Sequence, residues 1–174
     1  MALKGAVYAK RPNKLREEIM RTLLTAAFAI SLALPAAAAP KYESWEGTWH
    51  LNKKETVYPK GVHVTANDMV VTKDDGDKLV YTETVVNDGK TDVQKFDGSY
   101  DGKYYAMDQG ESLSFTHIGT NAYRAVRHDD KGFVRENSIC EIKNAGKKLV
   151  CHAWAQHAPG TPEVAFDEIF DKAP

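Results

Sequence analysis

Short turn signals punctuate this chain at intervals of roughly ten residues from Asp74 onward, the spacing of hairpins rather than of helices. They are Asp74-Asp75-Gly76-Asp77, Asn87-Asp88-Gly89-Lys90, Asp97-Gly98, Asp101-Gly102-Lys103, Asp108-Gln109-Gly110, Gly119-Thr120-Asn121, Asp129-Asp130-Lys131-Gly132, Asn144-Ala145-Gly146 and Pro159-Gly160-Thr161-Pro162. Asp-Gly and Asn-Gly-like pairs supply the positive φ that tight hairpin turns need. Between them lie short runs rich in Val, Thr, Tyr and Phe. No long window after residue 39 carries a convincing 3.6-residue apolar period, so helices are not expected.

Nine or ten strands are predicted, over about 45–52, 68–73, 78–86, 91–97, 102–107, 112–118, 121–128, 132–142, 148–157 and 163–171. Connections this short leave little room for crossovers, so neighbours in sequence should pair antiparallel. An open meander would expose two edges and one apolar face; closing the sheet on itself removes both problems. The predicted fold class is all-β, a single antiparallel up-and-down barrel of about 8–10 strands, with a two-sheet sandwich as the alternative. The ends are suited to closure. Trp45, Gly47, Trp49 and Leu51 share one face of the first strand, and Val164, Phe166 and Phe170 share one face of the last, where Glu168 interrupts the apolar row.

The N-terminal region has a different character. From Met20 it reads as a basic residue (Arg21), an apolar run from Leu23 to Leu34, Pro35 and a tail of small residues, the three-part pattern of a secretory signal peptide. The run is about a dozen residues, too short to span a hydrocarbon core of about 30 Å. Cleavage is expected after Ala38, with Met20 as the start. Residues 1–38 are thus read as an N-terminal extension plus signal peptide, and residues 39–174 as the barrel domain of an exported, periplasmic or extracellular protein.

That division changes the charge. The whole chain carries 23 basic and 24 acidic side chains, but residues 39–174 hold 17 against 22. An acidic domain gains nothing from a phosphate backbone, so nucleic acid is not an expected partner. No transmembrane segment is expected after residue 38.

Cys140 and Cys151 are the only cysteines. In an exported protein two thiols usually pair. They flank a strand-turn-strand segment, and a hairpin pivoting about Ala145-Gly146 sets residue 143 against 148 and Cys140 against Cys151. A disulfide is expected; two separately buried thiols are the alternative.

The segment Gly47-Thr48-Trp49, on a first strand after a signal peptide, resembles the G-x-W motif of lipocalins and other calycins. The longer run GTWHLNKKETVYPKG resembles the start of a group of exported bacterial lipocalin-like proteins that open with G-T-W-x-L-N and a K-S-x-Y-like segment. Here that segment is Lys54-Glu55-Thr56-Val57-Tyr58, with Ser replaced. The resemblance implies an up-and-down barrel in which Gly47 and Trp49 are structural and Trp49 packs at the closed end. It also implies a late basic residue across that Trp; the chain has no Arg after Arg135, and Lys172 is its only Lys or Arg after Lys148.

Candidate chemistry is sparse. The six histidines show no metal-ligand spacing: His152 and His157, the densest cluster beside Cys151, are an odd number of residues apart and point to opposite faces of a strand. No metal and no cofactor is expected. Paired cysteines cannot act as nucleophiles, and no third orienting group accompanies them. The mid-chain aromatics Tyr81, Tyr105, Phe115, Tyr123 and Trp154 either fill a barrel or line a pocket within it. Arg124, Arg127, Arg135 and Glu136 fall inside predicted strands. A three-residue loop closed by Gly132 would place Arg124 diagonal to Glu136 on the face shared with Cys140, Ile142, Leu149 and Cys151. The pair would then be a structural ion pair or a cavity-lining pair; a register shift would leave both outside.

The expected function is that of an exported barrel that binds a small hydrophobic or amphipathic ligand, or serves as a scaffold, in a bacterial envelope. Its pocket would lie at the mouth opposite Trp49, lined by Tyr81, Tyr105, Phe115, Tyr123, Arg124, Glu136 and Trp154. The alternatives are an inhibitor or protein-interaction module using loops 52–68 and 156–162, and a cofactor-independent enzyme using Tyr, Arg and Glu.

Overall fold

A computed structural model describes residues 42–174; the expected signal peptide lies outside them. Ten strands run in chain order: β1 Gly47–Leu51, β2 Val64–Asp74, β3 Lys78–Asn87, β4 Lys90–Ser99, β5 Tyr105–Ala106, β6 Ser112–His117, β7 Ala122–His128, β8 Val134–Lys143, β9 Lys148–Ala155 and β10 Val164–Lys172. They form one antiparallel sheet in the order β4-β3-β2-β1-β10-β9-β8-β7-β6-β5. This is the up-and-down barrel the turn spacing predicts, and it excludes the sandwich.

The first and last strands meet. Trp49 pairs with Lys172, His50 with Asp171 and Leu51 with Phe170, so the matched apolar ends do join. The open edges belong instead to β4 and β5, and side chains fill the seam between them. Gly98 makes this close approach feasible: a Cβ there would stand 2.5 Å from the Phe96 ring and 2.7 Å from that of Tyr105. Phe96 packs edge-on against Tyr105 and against Phe115, with centroids 6.0 and 4.9 Å apart. Tyr105 also donates its hydroxyl hydrogen to Asp101. The barrel is nearly closed.

One end is plugged. Residues 42–46 cross it, the Glu43 amide donating to the Thr120 carbonyl in the β6–β7 turn. The Trp49 indole donates to the Trp45 carbonyl at 2.7 Å, and the Trp45 indole to the Tyr100 hydroxyl at 2.6 Å. Tyr100 in turn donates to Asp74, whose carboxyl also accepts the Trp45 amide. Each buried indole N–H thus has an acceptor, as burial in an apolar floor requires. Trp49, Leu79 and Leu149 are wholly buried around this plug. Lys172 extends over the Trp49 ring, its ammonium 5.2 Å from the centroid.

The Cys140–Cys151 disulfide is present, and its register is the one read from the turn: Lys143 opposes Lys148, and the bridged cysteines oppose each other with Cα atoms 4.0 Å apart. The expected boundary of β2 is too late. The segment expected as a loop to Asp68 is already strand from Val64, and β2 pairs with β3 through two register shifts. The remaining piece, 52–63, lies along β10 through the Val57–Asp167 bridge and fills the wall above the short β1.

Candidate functional site

Alternation decides what faces the barrel interior. Inward rows run Tyr81, Glu83, Val85 on β3; Tyr123, Ala125, Arg127 on β7; Glu136, Ser138, Cys140 on β8; and Phe166, Glu168, Phe170 on β10, and all of these residues line one cavity. Several strands therefore carry a charged residue within an otherwise apolar inward row, and the charges gather at similar depth.

The cavity has a volume of about 400 Å³, within the range of small-molecule sites. Its lower part is aromatic, formed by Trp45, Tyr81, Phe115 and Tyr123, with Trp45 stacked on Tyr123 at 4.7 Å between centroids. The Cys140–Cys151 bridge forms part of the wall, and Asn87, Lys90 and Asp92 of the β3–β4 hairpin form a rim opposite Trp49.

Between floor and rim lies a polar band. The Asn67 amide donates to Glu83 Oε1 at 2.8 Å, and the Tyr58 hydroxyl donates to Glu168 Oε1 at 2.5 Å. Arg127 stands opposite Glu136 in the β7–β8 register, and its nearest carboxyl oxygen is that of Glu111, at 3.7 Å. Glu136 and Glu168 keep some accessible surface because they face the cavity, although the barrel wall encloses them. Asn67 Oδ1 and Arg127 Nε are buried without a hydrogen-bond partner in the protein.

This environment shifts protonation. Burial raises the Glu168 pKa to about 7, the nearby Glu83 adds to the effect, and hydrogen bonds from Tyr58 and Asn67 oppose it. Burial also raises that of Glu136, partly offset by Arg127. Burial works against the charge of Arg127, but Glu136, Glu83 and Glu111 more than compensate and hold it protonated. Burial keeps the phenols of Tyr81 and Tyr123 neutral.

Tyr81, Phe115, Tyr123 and Glu136 line the cavity. Tyr105 instead seals the seam against Phe96. Trp154 lies on the outer face with His152, opposite Asn137. Arg124 is also outside: it is exposed and its Nε donates to Asn137 Oδ1 at 2.8 Å. The interior arginine is Arg127. The expected register, with Arg124 diagonal to Glu136, is off by one residue, because β7 and β8 pair 127 with 136 and then shift register before His128 and Val134.

Sequence reasoning put Arg127 inside a strand but assigned the cavity to Arg124, and it missed Glu83, Asn67 and Tyr58. Arg127 and Glu83 share inward rows with Tyr123 and Tyr81, and Asn67 shares one with the buried Met69, a signal that alternation along each strand carries. Tyr58 reaches Glu168 across 110 residues of chain and leaves no local sign. Elsewhere, His50 and His152 pair with Asp68 and Asp167 on the outside of the barrel, each at 2.6 Å. Among the described residues no group of His, Cys, Asp or Glu is placed to hold a metal ion. Nor is any described helix long and apolar enough to cross a membrane.

Fold and cavity together define a nearly closed, plugged β-barrel with an internal chamber of about 400 Å³. No protein-family model matches the chain, and no curated protein matches it.

Proposed function

We propose that this protein is an exported, lipocalin-like barrel that holds a small amphipathic molecule in its central cavity. The observation that carries the reading is the chamber itself: about 400 Å³ lined by aromatic rings below and by Glu83, Asn67, Arg127, Glu136 and Glu168 above. A barrel that served only as a scaffold would fill that space with side chains, as close packing favours, and would have no use for buried polar atoms lacking partners.

The lipocalin-like part of the reading rests on Gly47-Thr48-Trp49 and on Lys172 lying over Trp49 at the plugged end. Export is supported by the pattern from Met20 to Ala38 and by the disulfide, a bond that persists in oxidising compartments.

Native mass spectrometry of the protein purified without denaturation from an envelope fraction tests the proposal. A discrete added mass, released by organic solvent, is the expected result. Quenching or enhancement of Trp45 fluorescence by amphipathic probes should accompany it. Protein that carries no added mass and leaves every probe unbound would refute the reading.

A further inference from the structure

The polar band is unbalanced in charge and in hydrogen-bonding capacity, and both imbalances have the same sign. Among the described residues Glu83, Glu136 and Glu168 face the cavity, against Arg127 alone at that depth. Arg127 is already balanced by Glu136, opposite it in register, and by Glu111 at 3.7 Å. Lys90 lies exposed at the rim. Among the described residues no lysine, arginine or histidine forms an ion pair with Glu83 or Glu168.

Asn67 adds an independent indication. It is 2% exposed, and its amide nitrogen is committed to Glu83. A carboxylate only accepts, so this bond fixes the orientation of the amide and leaves Oδ1 as a buried acceptor without a donor. Glu83 and Glu168 both lie within reach of the same amide. Three acceptors thus converge at one place on the cavity wall. Leaving such a group unmet carries the desolvation cost of a buried polar atom.

We infer that the cavity takes an organic ammonium ion, its N–H groups donated to Glu83, Glu168 and Asn67 Oδ1 and its apolar or aromatic body lying on Tyr81, Phe115 and Tyr123. The inference rests on the ligand-binding reading above and specifies its ligand class. A primary ammonium has three donors and no acceptor, which suits a wall of acceptors that also includes Gln94 Oε1, opposite Glu83 in register and likewise buried without a partner. An anion would face two carboxyl groups with no cation between them. A neutral hydrocarbon would leave Asn67 Oδ1 as it stands. An acceptor elsewhere on the same ligand, such as a hydroxyl or carbonyl oxygen, would satisfy Arg127 Nε.

Isothermal titration of the intact, disulfide-bonded protein at pH 8 with 4-phenylbutylammonium, 4-phenylbutanol and 4-phenylbutyrate tests this, because the three share one body and differ in the head group. The ammonium is expected to bind about tenfold more tightly than the alcohol, the margin of a charge-assisted hydrogen bond over a neutral one, and the butyrate most weakly. Glu83→Gln and Glu168→Gln should each remove most of that margin, and an unchanged β-sheet circular dichroism spectrum shows that the variants are folded. Alcohol or butyrate binding as tight as the ammonium would overturn the ligand class and leave the binding reading standing. An ammonium preference that survives both substitutions would overturn it too, by placing the cation elsewhere. If none of the three binds and the native protein carries no added mass, the binding reading fails and takes this inference with it.

Discussion

Lys172, on the last strand, lies across the face of Trp49, on the first, with its ammonium 5.2 Å from the ring centroid. The two residues are direct partners in the β1–β10 pairing that joins the chain ends. Gly47 is part of the same arrangement: at φ +127° it adopts a conformation that side chains rarely take, and a Cβ there would stand 2.7 Å from Lys172 Cε. Three residues therefore share one structural task, covering an aromatic plug while a lysine stem crosses bare backbone. Trp49→Ala is expected to cost about 3–5 kcal/mol in urea unfolding, as loss of a buried Trp does. Lys172→Ala should cost about 1 kcal/mol, combining a cation–π contact with lost packing of the stem. Gly47→Ala should be destabilising although it adds only a methyl group. Equal stability of all three variants with the wild type would deny that this end is a structural plug.

The disulfide crosses two neighbouring strands of the cavity wall and closes a short loop. Its stabilisation therefore comes chiefly from restricting the unfolded chain, about 3 kcal/mol for a loop of this size. The Cys140→Ser/Cys151→Ser double variant is expected to unfold at lower urea concentration than the wild type yet keep its β-sheet circular dichroism, because the β8–β9 ladder does not depend on the bridge. Thermal melts with and without reductant provide the second measurement. Reductant should lower the wild-type midpoint and leave that of the double variant unmoved.

How far the molecule is legible in its sequence depends on the range of the interaction concerned. The β8–β9 hairpin could be read to the residue because Asn144-Ala145-Gly146 is a local signal and its register follows from counting outward. The pairing of the two ends follows from matched apolar rows. Arg127 was obscured by the register shift between β7 and β8; such a shift exchanges inside for outside with a single residue, and so Arg124 was favoured in its place. The acceptor cluster of the cavity was illegible for another reason. Glu83, Asn67, Glu168 and Tyr58 come from β3, β2, β10 and the 52–63 segment, and only barrel closure brings them together. Trp154 is a large aromatic on a strand, yet alternation from Cys151 and Ala153 puts it outside.

Among the described residues Arg127 is the one interior cation at the level of the band, surrounded by Glu83, Glu111 and Glu136. Removing it leaves enclosed carboxyl groups with no compensating charge, an outcome that costs more than the loss of the contacts themselves. Arg127→Met, close in volume, is expected to lose about 3 kcal/mol at pH 8. Combining it with Glu136→Gln should recover part of that loss. The penalty should also shrink at pH 5, because burial raises the Glu136 pKa and a protonated carboxyl no longer needs the arginine. Arg124→Met offers the contrast: its side chain lies outside the barrel on Asn137 and should be nearly neutral. Urea titrations of the four proteins at both pH values give the comparison. Equal costs at positions 124 and 127 would contradict the orientation of β7.

Glu168 makes stability depend on pH, and the proposed binding of an ammonium ion should depend on pH in the opposite sense. In the folded barrel it keeps its proton up to about pH 7, against an ordinary value of 4.5, because burial and the nearby Glu83 of β3 and Glu136 of β8 outweigh the hydrogen bonds from Tyr58 of the 52–63 segment and Asn67 of β2. Between those two pH values the folded state binds a proton that the unfolded chain has released, so unfolding free energy falls as pH rises through the interval and levels off above about 7. The fall attributable to this group is on the order of 3 kcal/mol, and Glu136, shifted in the same direction, adds to it. Exposed carboxyls such as Asp75 and Asp129 are shifted downward by backbone hydrogen bonds and act in the opposite direction at lower pH, so maximum stability is expected near about pH 5. Glu168→Gln should flatten the slope between pH 5 and 7.5 in urea titrations. Binding runs the other way: 4-phenylbutylammonium should bind more tightly at pH 8 than at pH 6, as Glu168 gains its charge, while 4-phenylbutanol should bind equally at both. A stability curve that rises from pH 5 to 7.5, or an ammonium affinity indifferent to pH, would show that Glu168 does not titrate inside the cavity.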